Sequence, residues 1–228
     1  INRKLFATFT GGYTRYRSHI IQKQNAFVSS PDKNGQVYFQ EGHYRSAMED
    51  VNLRASFDYR PNVDHRIRMG SDYLFHLFRP EQSNMSSWYK DSVVSQMNNT
   101  VFSHSLIHGH EVSLYAEDEM LLTDRLRVNA GLRFTLFHVQ GETYQSFQPR
   151  FSTRYLLGRN LSAKVSYTKM NQYIHLLSNS YISQPTDIWV PVTGNIRPMH
   201  AHQVTSGLFW HYKELDFSVE GYYKRMNN

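Results

Sequence analysis

The sequence predicts an all-β protein: an antiparallel up-and-down wall of about nine strands, of the kind that crosses a membrane as a β-barrel. Three observations predict it. Apolar and polar residues alternate along segment after segment. Short and long connections alternate between those segments. Aromatic residues gather at both ends of the apolar faces.

The clearest segment is LRVNAGLRFTLF, where Leu126, Val128, Ala130, Leu132, Phe134 and Leu136 alternate with Arg127, Asn129, Gly131, Arg133 and Thr135. Period two is the geometry of a strand with one apolar and one polar face. Taken in order, 4–17 is a weaker copy of this pattern. In 51–60, Val51, Leu53, Ala55, Phe57 and Tyr59 oppose Asn52, Arg54, Ser56 and Asp58. In 65–78, Ile67, Met69, Tyr73, Phe75 and Leu77 oppose Arg66, Arg68, Asp72 and His76. Segment 111–121 is again weaker. In 147–155, Phe147, Phe151 and Tyr155 oppose Gln148, Arg150, Ser152 and Arg154. In 161–169, Leu161, Ala163, Val165 and Tyr167 oppose Ser162, Lys164, Ser166 and Thr168. Segment 203–211 is weak, and in 215–224 Leu215, Phe217, Val219 and Tyr223 oppose Asp216, Ser218, Glu220 and Lys224.

The connections 60–64, 122–125, 157–160 and 212–214 are short, and most are rich in turn formers. The others, 18–45, 79–109, 138–146 and 171–202, read as long loops, the first with a hairpin tip near Ser30 to Gly35. Tight turns at one rim and long loops at the other make a meander. In a membrane barrel these are periplasmic turns and extracellular loops.

A soluble sandwich also has one dry and one wet face per strand. Three features favour the membrane. The strands are near ten residues or longer, as a tilted crossing requires. Charges sit at mid-strand on the polar faces. The apolar faces carry Tyr59, Tyr155 and Trp210 near the short turns, and Tyr13, Tyr73, Phe75, Phe134, Tyr167 and Tyr223 near the long loops. Amphipathic rings favour both water–lipid boundaries, so these are the expected lipid-facing girdles. Leu132 is then expected to face lipid and Arg133 a wet or plugged lumen.

Composition narrows the function. Among 228 residues there is no cysteine, which excludes a disulfide scaffold and a thiolate metal site. No run approaches the roughly 18 apolar residues of a membrane helix. The net charge of +6 would suit nucleic acid, anionic lipid or an anionic ligand. The arginines are spread along alternating strands and form no basic run, so nucleic acid is not an expected partner. The chain opens at Ile1 in strand-like sequence and stops just after another strand-like run, so residues 1–228 are expected to be part of one barrel domain, truncated at both ends.

YAEDEMLLTDRLRVNAGLRFTLF resembles a hairpin of TonB-dependent outer-membrane receptors, with its Tyr-x-x-Asp-x strand, Thr-Asp-Arg turn and Asn-x-Gly-x-Arg strand. QPRFSTRYLLGRNLSAKVSYTKMNQYIHLLSN is similar to the next hairpin. PTDIWVPVTGNIRPMHAHQVTSGLFW followed by VEGYYKRMNN resembles the Bacteroidetes type. The resemblance runs from about Glu49 to the end and is weaker before it. It implies a barrel of roughly 22 strands around a plug domain, in the bacterial outer membrane. It implies import of a scarce nutrient with energy passed through TonB. The implied partners are outer-membrane lipid, the receptor's own plug domain, TonB through a separate N-terminal segment, and a surface lipoprotein. No plug, TonB-binding segment or closing C-terminal strand is legible in the chain itself.

Other constellations read as less specific. His104, His108 and His110, and His200 and His202, have spacings that could grip a metal, but lack matched acidic partners and read as rim histidines, so no metal site is expected. Asp32-Lys33-Asn34-Gly35 begins like a calcium loop, yet lacks the distal bidentate glutamate, Glu41 being only near; a turn is the better reading. Glu117 and Glu119 share a face opposite Asp118 and read as partners of lumen arginines, not as acid–base catalysts. No nucleophile elbow, zincin motif or phosphate loop is present, so no catalytic residue or cofactor is expected. The lumen-facing basic residues Arg54, Arg66, Arg68, Arg133, Arg150 and Arg154 have two readings: pairing with a plug and with Asp58, Asp72, Asp216 and Glu220, or an electropositive path for an anionic ligand. Tyr173, His175, Asp187 and Trp189, in the last long loop, are the candidate ligand-binding residues. The rival readings are an enzyme on an outer-membrane barrel, a plugless structural or adhesive barrel, and a soluble β-sandwich.

Overall fold

The computed structural model describes residues 4–30, 33–90, 95–103, 105–177 and 188–227, with backbone alone for 27–30, 33–38, 80–85, 87–90, 95–103, 177 and 188. Among these residues every regular element is a strand. The elements are β1 (Leu5–Ser30), β2 (Lys33–Tyr59), β3 (His65–Lys90), β4 (Ser95–Ser103), β5 (Ile107–Thr123), β6 (Leu126–Val139), β7 (Glu142–Leu156), β8 (Leu161–Gln172), β9 (Ile174–Leu177), β10 (Ile188–Pro191), β11 (Met199–Tyr212) and β12 (Leu215–Asn227). One sheet runs β1-β2-β3-β5-β6-β7-β8-β11-β12, with β4 paired to the far end of β3; β9 and β10 form a separate hairpin. The nine strands of the main path are the nine segments read from the alternation, and all neighbours are antiparallel.

The register sets the apolar set of each strand against that of its neighbours. Leu53 lies opposite Tyr73, Leu114 opposite Phe134, Leu132 opposite Pro149, and Leu208 opposite Ala163 and Val219. That face stays open to the surroundings: Leu53 is 56% exposed, Leu132 47% and Val219 77%. A contiguous apolar sheet face of this extent is unstable in water.

The sheet is also sheared. The row of paired residues that starts at Tyr59, the last residue of β2, passes through Ile67, Asp118, Ala130, Phe151, Tyr167 and Val204 to Tyr223. Tyr223 lies eight residues inside β12 from Leu215, so the row climbs by about one residue per strand. Such a stagger is what strands tilted around a barrel axis require.

The turns follow local chemistry. Asn62 Oδ1 accepts hydrogen bonds from the backbone N–H groups of Asp64 (3.1 Å) and His65 (2.9 Å). Thr123 Oγ1 accepts them from Arg125 (3.3 Å) and Leu126 (3.1 Å). These are the side-chain-stabilised turns that asparagine and threonine favour.

The structure corrects three of the long loops. Segment 18–45 is a continuation of β1 and β2 as one hairpin, paired up to Ser30 opposite Lys33. Much of 79–109 is likewise strand: β3 continues to Lys90 and pairs with β4. Segment 138–146 is no loop at all. Val139 pairs with Glu142 across a two-residue turn, in which Gln140 (φ 49°) and Gly141 (φ 85°) both adopt left-handed backbone. That is the conformation whose twist matches the flanking strands.

Candidate functional site

Alternation sends most of the mid-strand charged residues of β2, β3, β5 and β6 to the polar face, where the register brings them within reach of one another. Asp72 on β3 is 3% exposed. It accepts from Arg54 Nε on β2 at 2.6 Å and from Arg133 Nη1 on β6 at 2.8 Å. Arg133 reaches it across the whole width of β5. Arg66 donates through Nε (2.9 Å) and Nη2 (2.5 Å) to Asp58, and Arg68 Nε lies 2.8 Å from Glu117. Arg127 Nη1 donates to Glu119 at 3.1 Å. Glycine permits a close approach in this cluster: a Cβ on Gly70 would collide with the Ala55 carbonyl and lie 2.7 Å from the Tyr115 hydroxyl.

Four of the six expected arginines therefore have carboxylate partners on this face. Asp58 and Asp72 are partners as expected; Asp216 instead accepts from His211 Nδ1 at 2.7 Å, and Glu220 makes no ion pair among the described residues. Arg150 and Arg154 are exposed and also make none. Arg154 lies opposite Arg127 and Lys164, so positive charge is left uncompensated on β7 and β8. A hollow of about 920 Å³ opens on the polar face near the short-turn rim, bordered by Thr8, Asp58, Arg66, Arg68, Tyr115 and Glu117.

At the opposite rim the polar face is covered. Phe137, Val139, Tyr173 and Val192 form a buried cluster, with Ile107 and Tyr144 packed against it. The Tyr173 ring stacks on Phe137 at 5.0 Å and its hydroxyl donates to Ser146 Oγ at 2.6 Å. Burial raises its pKa above the ordinary tyrosine value, and the Ser146 hydrogen bond opposes that rise. Tyr144 donates to the Thr193 carbonyl at 2.8 Å, and the Val192 N–H to the Tyr173 carbonyl at 2.8 Å. Below this cluster Ser113, Thr135, Gln148 and Ser146 form a buried hydrogen-bonded chain with links of 2.9, 3.2 and 3.0 Å. His76, 3% exposed, meets Asp50 at 2.8 Å. The β9–β10 hairpin thus folds onto the polar face of the wall.

This changes the reading of the last loop. Tyr173 is committed to packing, because the hairpin seals it at 4% exposure. His175 is half-buried, and its Nε2 has no hydrogen-bond partner among the described residues. Trp189 is half-buried opposite Leu176. Asp187 lies outside the described residues, as do Asp32 and His104. The Ser113-to-Tyr173 chain and the His76–Asp50 pair were missed by sequence reasoning. No single strand carries a signal for them; they exist only across the register.

The histidines of the two short-spaced pairs contact aromatics. His108 and His110 pack on Phe75 at 6.0 and 5.2 Å, and His200 and His202 lie edge to face at 5.9 Å.

Comparison with known proteins agrees with this architecture. Residues 2–228 match the family described as "TonB dependent receptor-like, beta-barrel". Among solved structures, the chain is similar to one titled "Copper transporter OprC", with TM-score 0.52, 12% identity, 99% of this chain covered and 43% of that one. It also aligns with the siderophore receptor PirA of Pseudomonas aeruginosa (TM-score 0.45, 11% identity, 99% and 50% covered). A third is the ferric yersiniabactin uptake receptor FyuA of Yersinia pestis (TM-score 0.40, 11%, 96% and 42%). The chain spans about half or less of the length of each of these structures. No curated protein matches it in sequence. The family is one of transport receptors, not enzymes. With a two-faced, sheared antiparallel wall and a family match over nearly its whole length, the chain belongs to the TonB-dependent receptor β-barrel family.

Proposed function

We propose that this chain forms part of the barrel wall of an outer-membrane receptor that imports a scarce nutrient: a ferric chelate, cobalamin, haem, a glycan or a peptide. The apolar face meets lipid and the polar face lines the lumen. The observation that carries the reading is the division of the wall: exposed apolar side chains crowd one face, and the Arg54–Asp72–Arg133 cluster sits on the other. The same division makes the tyrosines and tryptophan of the apolar face the lipid girdles. In the working receptor, other segments complete the barrel and supply a plug domain in the lumen, and TonB delivers the energy. Arg150 and Arg154, free of carboxylates in the described wall, are available to acidic groups of the plug or to an anionic ligand. His175 and Trp189 are the ligand-contact candidates of the last connection, and a surface lipoprotein is a further partner. The Bacteroidetes type belongs to the same proposal, supported by the sequence around 185–210.

The test is uptake. Deleting the full-length gene in its host should abolish accumulation of one of these nutrient classes, and loss of TonB should do the same. Unchanged uptake of all five classes in the deletion strain would sink the proposal.

A further inference from the structure

We propose that the apolar side of the wall carries, just beyond its aromatic ring at the hairpin rim, a basic belt that binds the phosphate groups of outer-leaflet lipid headgroups. The proposal rests on the membrane-barrel reading above.

The ring defines the level. The Tyr13 hydroxyl donates to Glu49 at 3.0 Å; the Tyr73 and Tyr167 hydroxyls lie 3.0 and 2.9 Å from Nδ1 of His110 and His202. The three pairs share one geometry. Tyr13, Tyr73 and Tyr167 lie opposite Val51, Val112 and Val204, and each partner stands two residues from that valine, towards the hairpin rim. Each phenol therefore points away from the apolar band and grips a polar group one rung higher on the next strand. Apolar ring below and hydrogen-bonded hydroxyl above is how tyrosine sits at a water–lipid boundary.

Above this level, the same face turns basic. On β1 it presents Arg15 and Arg17, two and four residues beyond Tyr13, and further out Lys23; on β2 it presents Arg45, six residues beyond Val51, and on β3 Arg79, four beyond Phe75. At the other end of the wall Lys169, His202 and Arg225 form one row across β8, β11 and β12, one rung above Tyr167, Val204 and Tyr223. Against these stand two carboxylates among the described residues. Glu49 is held by Arg15 (3.3 Å) and Arg79 (3.5 Å), and Glu41 by Lys23 (3.4 Å) and His43 (2.9 Å). Among the described residues Arg17, Arg45, Lys169 and Arg225 have no carboxylate partner, and all but the half-buried Lys169 are exposed. Composition alone does not explain this. The polar face takes Asp50 and Asp58 on β2, Asp72 on β3, and Glu111, Glu117 and Glu119 on the neighbouring β5.

Cations at this height meet headgroups. Guanidinium matches phosphate oxygens with paired donors. A basic residue beside an anionic surface strengthens attachment by about fivefold. Continuity with the apolar band and the tyrosine ring favours a lipid over a soluble anion.

The test uses the full-length receptor in neutral detergent, with binding of phosphorylated lipid A and of the same lipid stripped of its phosphates read by native mass spectrometry. Wild type should hold the phosphorylated form at least tenfold more tightly. The variant R17Q/R45Q/K169Q/R225Q should lose that preference, and the polar-face variant R150Q/R154Q should keep it. Heat-resistant migration on gels confirms that each variant is a folded barrel. The belt is overturned if the quadruple variant keeps the preference, if phosphate removal changes nothing, or if millimolar inorganic phosphate competes the lipid away. Failure of wild type to assemble in the outer membrane would instead overturn the barrel reading beneath it.

Discussion

Exchanging charge between the two faces at one level of the wall gives the sharpest test of its orientation. Leu132 lies in the middle of the apolar positions of β6, with Ala116 and Pro149 beside it, and is 47% exposed. If that face meets hydrocarbon, Leu132→Arg puts a guanidinium near the bilayer midplane at a cost of about 2–4 kcal/mol. The folding equilibrium constant should fall by roughly 30- to 1000-fold, since about 1.4 kcal/mol is a factor of ten. Arg150, opposite Gly131 on the polar face, is exposed and forms no ion pair among the described residues. Arg150→Leu removes a solvated charge and should cost under about 1 kcal/mol. Urea titration of the full-length receptor folded into lipid vesicles measures both, with heat-modifiable migration as the readout. Equal costs, or a larger one for Arg150→Leu, would refute the face assignment.

Three further outcomes follow from the packing. Asp72→Asn leaves Arg54 and Arg133 without their shared carboxylate; because Arg54 is 60% exposed, the loss should be about 1–3 kcal/mol in the same titration, and no change would show that the cluster is not formed. Gly70→Val presses a side chain on the Ala55 carbonyl and the Tyr115 hydroxyl; it should cost about 1–3 kcal/mol, whereas wild-type stability would mean that the ring does not cover this glycine. Tyr173→Phe should weaken protection of the β9–β10 hairpin from protease by about 1 kcal/mol through the lost Ser146 bond. Tyr173 has a raised folded pKa, so its contribution is complete below the unfolded value near 10 and falls as pH climbs through the folded one. Protease sensitivity that is flat up to pH 11 would contradict that burial.

Strand order and the division into an apolar and a polar face were legible because that division writes a two-residue period into every strand. Where the hairpins rise beyond the aromatic ring, that contrast ends. In β1 beyond Arg17, both faces carry polar residues, so the continuing strand reads as loop. The turn at Gln140 was hidden differently: a glycine in a two-residue connection is a hairpin signal, but the apolar stripe stops at Leu136 and the strand does not. The arginine inventory was legible, and its pairing was not. Which carboxylate Arg133 reaches depends on Asp72 lying two strands away, and only the register gives that. Tyr173 misled because a tyrosine in a long connection reads as exposed, whereas this connection folds back onto the wall.

The shear of the sheet has a practical meaning for depth. The row that begins at Tyr59, in the ring beside the short turns, ends at Tyr223, in the ring beside the hairpins. With about 3.3 Å per residue along a strand tilted by about 40°, its eight-residue climb amounts to roughly 20 Å of vertical travel. If the apolar face meets lipid, a line of hydrogen-bonded neighbours is therefore a staircase from one membrane surface to the other. Nine substitutions along it, from Leu5 to Tyr223, would take a depth-sensitive fluorophore through the bilayer in even steps, without leaving one row of the sheet.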